Sequence, residues 1–260
     1  MSGRLDGKIA FVTGAGSGLG RATALHFARE GAEVLATDID LDTATATATE
    51  IESEIGKGKA LALAHDVTDP AAWTNAIAAT KAEFGGLHIL VNNAGISIHG
   101  NIESTPYDEF KRLLDIDLNS VFLGCQTAIP TMTASGGGSI VNVSSIAGIM
   151  GNPNTLAYGT AKAGVRYLTK SVALDCAAKK NGIRCNSIHP TFIRTPLIDQ
   201  FLVEDGWLER LSASIPLGRI CEPEDVTHAI VFLASDESLM MTGSEVVIDG
   251  GVSCGKLPGR

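Results

Sequence analysis

One pattern recurs from end to end of this chain: a short run of apolar, often β-branched residues, followed by a longer stretch with helical spacing. Such runs fall at residues 9–12, 34–37, 60–65, 88–91, 140–143, 183–188 and 246–248. Runs that are apolar at successive rather than alternate positions suit strands buried on both faces, and strands joined through helices must lie parallel. The pattern predicts a doubly wound α/β fold, a parallel seven-stranded sheet with helices on both faces, in a single domain spanning 1–260. Residues 43–49 alternate Thr and Ala with a period of two, as a strand would. Their place between two strands, ahead of Glu50-Ile51-Glu52-Ser53-Glu54-Ile55, makes them helical instead. Ser135-Gly136-Gly137-Gly138-Ser139 reads as a flexible loop.

Composition narrows the partners. The chain is 45% apolar and carries a net charge of −9, which argues against nucleic acid and against an anionic membrane surface. No apolar run approaches the ~20 residues a bilayer span requires, and the first eight residues lack an apolar signal core, so a cytoplasmic location is expected. Five cysteines and six histidines are scattered without metal-ligand spacing, so no metal is expected.

The first strand runs into Thr13-Gly14-Ala15-Gly16-Ser17-Gly18-Leu19-Gly20, where a helix begins. Glycines 14, 18 and 20 let the backbone turn tightly and approach a phosphate, and the unpaired N–H groups of a helix N-terminus attract it. This strand–turn–helix is the mark of a Rossmann-type dinucleotide site. Asp38 ends the second strand, where its carboxylate can accept both hydroxyls of an adenosine ribose and repel a 2′-phosphate. Ser17 and Ile39 supply no cation for that phosphate, which points to NAD. Asp66-Val67 and Asn92-Asn93-Ala94-Gly95 end the third and fourth strands and belong at the same crevice, with Asp66 and Val67 toward the adenine and Asn93 and Gly95 along the turn.

Tyr158 and Lys162 lie four residues apart and share a helix face. The ammonium favours the phenolate and should bring a phenol pKa of about 10 toward neutrality, making a proton donor and acceptor. Ser145 lies upstream, and a second hydroxyl aimed at the same oxygen would stabilise the charge that hydride transfer develops there.

Together these motifs resemble the short-chain dehydrogenase/reductase family, from Lys8 to about Gly251. The resemblance makes Tyr158 the general acid/base and has Ser145 hold the substrate oxygen. Lys162 then holds the nicotinamide ribose and lowers the tyrosine pKa. Asn119, in Asp117-Leu118-Asn119-Ser120, matches the fourth family residue, which positions a proton-relay water beside the lysine. Ile193 and Thr195 fall to the carboxamide. His189 and Thr191 replace a common Asn and a common Gly, departures also found in hydroxysteroid and cyclic secondary-alcohol dehydrogenases of the family. Gly243 to Gly251 resembles the segment by which members pack, so a homotetramer is expected.

Residues 191–215 carry Leu197, Ile198, Phe201, Leu202, Val203, Trp207, Leu208 and Leu211, an apolar set suited to a lid over the nicotinamide. Met150, Asn152 and Leu156 fall between Ser145 and Tyr158 and could line a pocket. The substrate expected is an apolar or cyclic secondary alcohol, steroids included, or its ketone. Two alternatives remain open: a 3-oxoacyl-[acyl-carrier-protein] reductase, disfavoured by Asp38 and the acidity, and a non-catalytic NAD-sensing protein, disfavoured by the complete tetrad.

Overall fold

The computed structural model describes residues 3–199 and 206–255. Seven strands form one parallel sheet: β1 (Ile9–Thr13), β2 (Glu33–Asp38), β3 (Ala60–Ala64), β4 (Ile89–Asn92), β5 (Gly138–Val143), β6 (Ile183–Pro190) and β7 (Glu245–Ile248). Their order is β3-β2-β1-β4-β5-β6-β7, so the winding reverses between β1 and β4. Ligands of such sheets bind beyond the carboxyl ends of the strands at that reversal.

Alternation within each strand divides the core. Ala10, Val12, Val34, Ala36, Ile89, Val91, Val141 and Val143 face one layer with α1 (Gly18–Arg29), α2 (Leu41–Ile55) and α9 (Pro223–Ala234). Phe11, Leu35, Leu90 and Ile140 face the other, with α3 (Pro70–Phe84), α5 (Ser120–Ala134) and α6 (Leu156–Lys179). Successive side chains of a strand point to opposite faces, so a continuous apolar run is what two covered faces demand. The Thr/Ala segment is helical as expected. It buries Ala44, Thr47, Ala48 and Ile51, and Asp40, not Asp38, caps it by accepting from Asp42 N at 2.9 Å.

Two local expectations are corrected. Gly138 and Ser139 belong to β5, and the preceding turn is tightly held rather than a flexible loop: Gly137 N donates to Met132 O at 2.9 Å and Gly138 N to Gly182 O at 3.1 Å. Gly136 and Gly137 have φ of 95° and 105°, a conformation that glycine adopts without strain. β6 also runs two residues further than expected, through His189 and Pro190, because β7 pairs with it to the end: His189 faces Val247 and Pro190 faces Ile248.

A buried polar ladder crosses beneath the carboxyl edge. Asn92 Nδ2 donates to Asn142 Oδ1 at 2.8 Å, and Asn142 Nδ2 donates to Thr169 Oγ1 at 2.9 Å, joining β4, β5 and α6. All three residues are buried, and buried amides of this kind stabilise only when paired.

Candidate active site

A crevice of about 930 Å³ opens at the winding reversal. Its walls include Gly14, Ser17, Gly18 and Leu19 from the glycine turn, Asp38, Asp66 and Val67 from the next two strand ends, and Asn93 and Gly95 after β4. Ser145, Tyr158, Lys162, Ile193 and Thr195 complete it. Of the residues assigned from sequence, Gly20 lies behind this wall and Asn119 lies elsewhere.

The turn is built by close approach. Gly14 and Gly18 have positive φ, 63° and 51°. A Cβ at Gly20 would stand 2.5 Å from Asn93 Nδ2 and 2.7 Å from the Gly14 carbonyl carbon, so the start of α1 packs directly on the turn. Ser17 places no side-chain cap on the first turn of α1, which leaves that positive helix end facing the crevice. Asn93 works through the turn: its Nδ2 donates to Thr13 O at 2.9 Å, while Thr13 Oγ1 accepts from Asn93 N and Ala94 N at 3.0 Å each. Thr195 closes the opposite side, 3.0 Å from where a Cβ on Gly18 would lie. Asp38 Oδ2 accepts from Gly16 N at 3.0 Å and Oδ1 from Asp40 N at 3.2 Å, so both oxygens are held at the turn. Asp66 accepts from Thr68 N and Oγ1 at 2.9 and 2.7 Å, bonds that lower its pKa. Thr191 Oγ1 is buried on the crevice wall without a partner among the described residues. A glycine-lined turn, an uncapped helix end, a carboxylate at the second strand and an orphan hydroxyl fit a dinucleotide.

At the other end of the crevice, Ser145 follows β5 and Tyr158 and Lys162 stand on α6. Ser145 Oγ accepts from Ala147 N at 3.1 Å, which fixes the hydroxyl on the crevice wall, where it works to lower the Tyr158 pKa. Ser144 does not compete, because its hydroxyl donates to Lys162 O at 2.9 Å and ties β5 to α6. Lys162 is buried, donates to Val143 O at 3.2 Å, and holds its Nζ 5.5 Å from the centre of the Tyr158 ring.

Three findings depart from sequence expectation. Asn119 is exposed and donates to Asp115 Oδ1 at 2.8 Å, away from the lysine. Asp117 stands there instead, fully buried, with Oδ2 3.0 Å from Lys162 Nζ and Oδ1 accepting from Ile96 N at 2.8 Å. Residues two apart on a helix point ~200° apart, so only one of the pair can face α6. Both lie in a π-helical turn, Asp115–Asn119, between α4 (Tyr107–Leu114) and α5.

The tyrosine pKa is the second departure. It is raised rather than brought toward neutrality: burial lifts it first, Lys162 pulls it down, and Asp117 pushes it up again. Burial works against the charge on Lys162, but Asp117 and Tyr158 outweigh it and hold its pKa above the usual lysine value. Burial raises that of Asp117, against the pull of Lys162 and the Ile96 N–H.

His189 is the third, missed as a site residue although its identity was conspicuous. It is fully buried, with Nδ1 3.2 Å from the Ser145 carbonyl and Nε2 2.8 Å from Ser187 Oγ. The carbonyl requires a donor, so Nδ1 carries the proton and Nε2 accepts from Ser187. Burial lowers its pKa, which keeps the ring neutral. The ring therefore positions Ser145 from behind. Thr191 introduces no distortion; its N–H donates to Ile248 O at 3.1 Å.

Phe192, Leu197 and Ile198 line the crevice, the last two from the short helix α7 (Pro196–Asp199), and Phe192 meets Trp207 edge-on at 6.4 Å. Trp207, Leu208 and Leu211 of α8 (Trp207–Ser214) pack with Ile215, Ile220 and Val252. The lid residues Phe201, Leu202 and Val203 lie outside the described residues, as does the tail after 255. Met150 and Asn152 line the crevice; Leu156 does not.

Residues 14–253 match a family model described as enoyl-(acyl carrier protein) reductase. The chain belongs to the short-chain dehydrogenase/reductase family. It is 41% identical to the NADP-dependent (R)-specific alcohol dehydrogenase of Lentilactobacillus kefiri, over 96% of this chain and 98% of that one. It is 43% identical to the 3-alpha-(or 20-beta)-hydroxysteroid dehydrogenase of Mycobacterium tuberculosis, over 98% and 93% respectively. A crystal structure of a short-chain type dehydrogenase/reductase from Mycobacterium marinum superposes with a TM-score of 0.90 at 38% identity, covering 96% of this chain and 97% of that one. As a member of this family the chain is an oxidoreductase of CH–OH groups that uses a nicotinamide cofactor. Among the described residues, no helix is long and apolar enough to cross a membrane.

Proposed function

We propose that the chain interconverts an apolar or cyclic secondary alcohol and its ketone with NAD, and that Tyr158 moves the proton. The observation that carries this reading is the convergence of Ser145, Tyr158 and Lys162 on the crevice that the glycine turn opens. A nicotinamide dinucleotide bound there accepts or supplies the hydride. Ser145, its oxygen fixed by Ala147 N, holds the substrate oxygen with its hydroxyl proton. Tyr158 gives its proton to that oxygen in reduction and takes one from it in oxidation. Lys162, anchored at Val143 O, places a positive charge beside the phenol. Ile193 and Thr195, with the Thr191 hydroxyl beside them, border the carboxamide end of the cofactor site, and Asp66 and Val67 the adenine end.

Asp38 supports NAD. Its carboxylate is held at the glycine turn by Gly16 N and Asp40 N, where a ribose 2′-phosphate would meet like charge. The relative from L. kefiri is named as NADP-dependent, so the assignment rests on this residue of this chain. Phe192, Met150, Leu197 and Ile198 give the substrate end an apolar lining, in keeping with a cyclic substrate such as the steroid in the M. tuberculosis relative's name. Exposed Leu239, Met240 and Val247 around β7 support assembly of copies, a homotetramer in this reading.

Turnover of secondary alcohols, including hydroxysteroids, with NAD and with NADP tests the proposal. Tyr158→Phe should lose about 10²- to 10⁴-fold in kcat/KM while keeping NADH affinity. NADH binding without turnover of any alcohol would favour the sensing protein instead, and full activity of Tyr158→Phe would remove the tyrosine from the chemistry.

A further inference from the structure

The carboxylate of Asp117 is a fully buried charged group at the site for which the chemistry above has no use. It is fully buried, at the centre of a π-helical turn that interrupts the helix from α4 into α5. Single turns of this kind often occur at functional sites. Space is reserved for the carboxylate. A Cβ on Gly95 would lie 2.8 Å from Oδ2 and 3.3 Å from the carboxyl carbon, so a glycine at 95 is what admits the group. Oδ1 is fixed by Ile96 N at 2.8 Å; Oδ2 faces Lys162 Nζ at 3.0 Å without the alignment of a hydrogen bond. The lysine's own hydrogen bond goes to Val143 O.

A buried ammonium alone would favour the phenolate of its tyrosine neighbour. Here a carboxylate lies closer to that ammonium than the phenol ring does, 3.0 Å against 5.5 Å to the ring centre. Other charged or titratable groups border the same crevice. His99 lies beyond β4, and Arg112 and Asp115 lie on α4 and the π-helical turn. Arg112 is paired with Glu109 at 3.3 Å. His189, from β6, is neutral and separated from the phenol by Ser145. Among the described residues, Lys162 and Asp117 are the charges that act on Tyr158.

We infer that Asp117 is a charge-balancing, positioning residue: its buried carboxylate offsets the Lys162 ammonium, so that Tyr158 rests as the protonated acid and the site is set for carbonyl reduction near neutral pH. This rests on Tyr158 being the proton carrier. Oxidation of an alcohol, which needs the phenolate, is then confined to alkaline solution. Ketone reduction needs the phenol and proceeds where the tyrosine is protonated.

The test is the pH profile of kcat/KM for alcohol oxidation at saturating NAD, in the wild-type chain and in Asp117→Asn. The amide keeps the shape and the acceptor for Ile96 N but removes the charge. The rising limb should move to lower pH by about one unit or more, the scale of one charge at this range. An unmoved limb, or one moved to higher pH, overturns the inference. Ultraviolet difference titration of the free protein, wild type minus Tyr158→Phe, isolates one phenol of three. Should Asp117→Asn fail to fold, the same titration of Asp117→Ala against the wild type decides: a phenol that ionises at lower pH in the variant supports the inference, and an unmoved one overturns it. Full activity of Tyr158→Phe would sink the proton-carrier reading itself, whereas an inactive Tyr158→Phe with an unmoved Asp117→Asn profile sinks only the role given to Asp117.

Discussion

Gly20→Ala probes how far the cofactor site depends on backbone contact. Gly20 does not have positive φ, so alanine brings no conformational penalty of its own and the effect is purely one of space. The new methyl would sit 2.5 Å from Asn93 Nδ2 and 2.7 Å from the Gly14 carbonyl carbon, and nearer still to its oxygen. Carbon contacts are comfortable at about 3.5–4.0 Å, so the first turn of α1 or the glycine turn must retreat by roughly 1 Å. Overpacking of this kind costs about 1–3 kcal/mol. The same shift loosens the bond from Asn93 Nδ2 to Thr13 O, worth about 1 kcal/mol. The expected loss is therefore about 2–4 kcal/mol, or a fall in Tm of roughly 4–16 °C for a chain of this size. Phosphate contacts at a helix N-terminus depend on the same geometry, so the NADH Kd should rise at least about tenfold, a loss of 1.4 kcal/mol or more. Thermal unfolding and fluorescence titration with NADH read the two effects. A variant with unchanged Tm and unchanged NADH affinity would refute the claim that α1 and the turn are in fixed contact.

Three further outcomes are expected. Asp38→Ala combined with Ile39→Arg should shift preference from NAD to NADP, read as the ratio of the two kcat/KM values; an unchanged ratio counts against the role given to Asp38. His65 has its pKa lowered to about 4 by burial, where it bonds Thr37 at 3.1 Å and meets Trp73 edge-on at 4.5 Å. The folded pKa lies below the unfolded value of 6.5, so the stabilisation is full above 6.5 and lost as pH falls through that window toward about 4. Denaturant unfolding should weaken by roughly 3 kcal/mol across it, and His65→Leu should flatten that slope. Ser187→Ala, which removes the acceptor-side anchor of His189, should lower kcat several-fold with little change in NADH affinity, because the ring behind Ser145 loses one of its two ties; an equal loss of cofactor binding would contradict that division.

The architecture was legible because the inner strands are covered on both faces, which leaves continuous apolar runs such as Ile9 to Val12 as a direct trace. The glycine turn, Asp38, Ser145, Tyr158 and Lys162 were equally visible, since each chemistry demands particular residues at particular spacing. Asp117 was not. A π-helical turn changes which residue faces inward, and neither Asp117 nor Asn119 carries a sign of that turn in its neighbours. The direction of the tyrosine pKa was hidden for the same reason: the lysine was in view and its counter-charge was not. His189 was noticed only as an unusual residue, because the bond that ties it to the site, to the Ser145 carbonyl, joins segments 44 positions apart.

The amide–amide–hydroxyl chain through Asn92, Asn142 and Thr169 fastens the strand ahead of Asn93 and Gly95 to the helix that bears Tyr158 and Lys162. The β4 side of the glycine-turn wall and the proposed proton carrier therefore stand on one connected framework. The far bank, where Phe192, Leu197 and Ile198 line the crevice, offers apolar contour beside the hydroxyls of Thr191 and Thr195. Selection can recut that contour for new alcohols while the reaction itself is inherited intact.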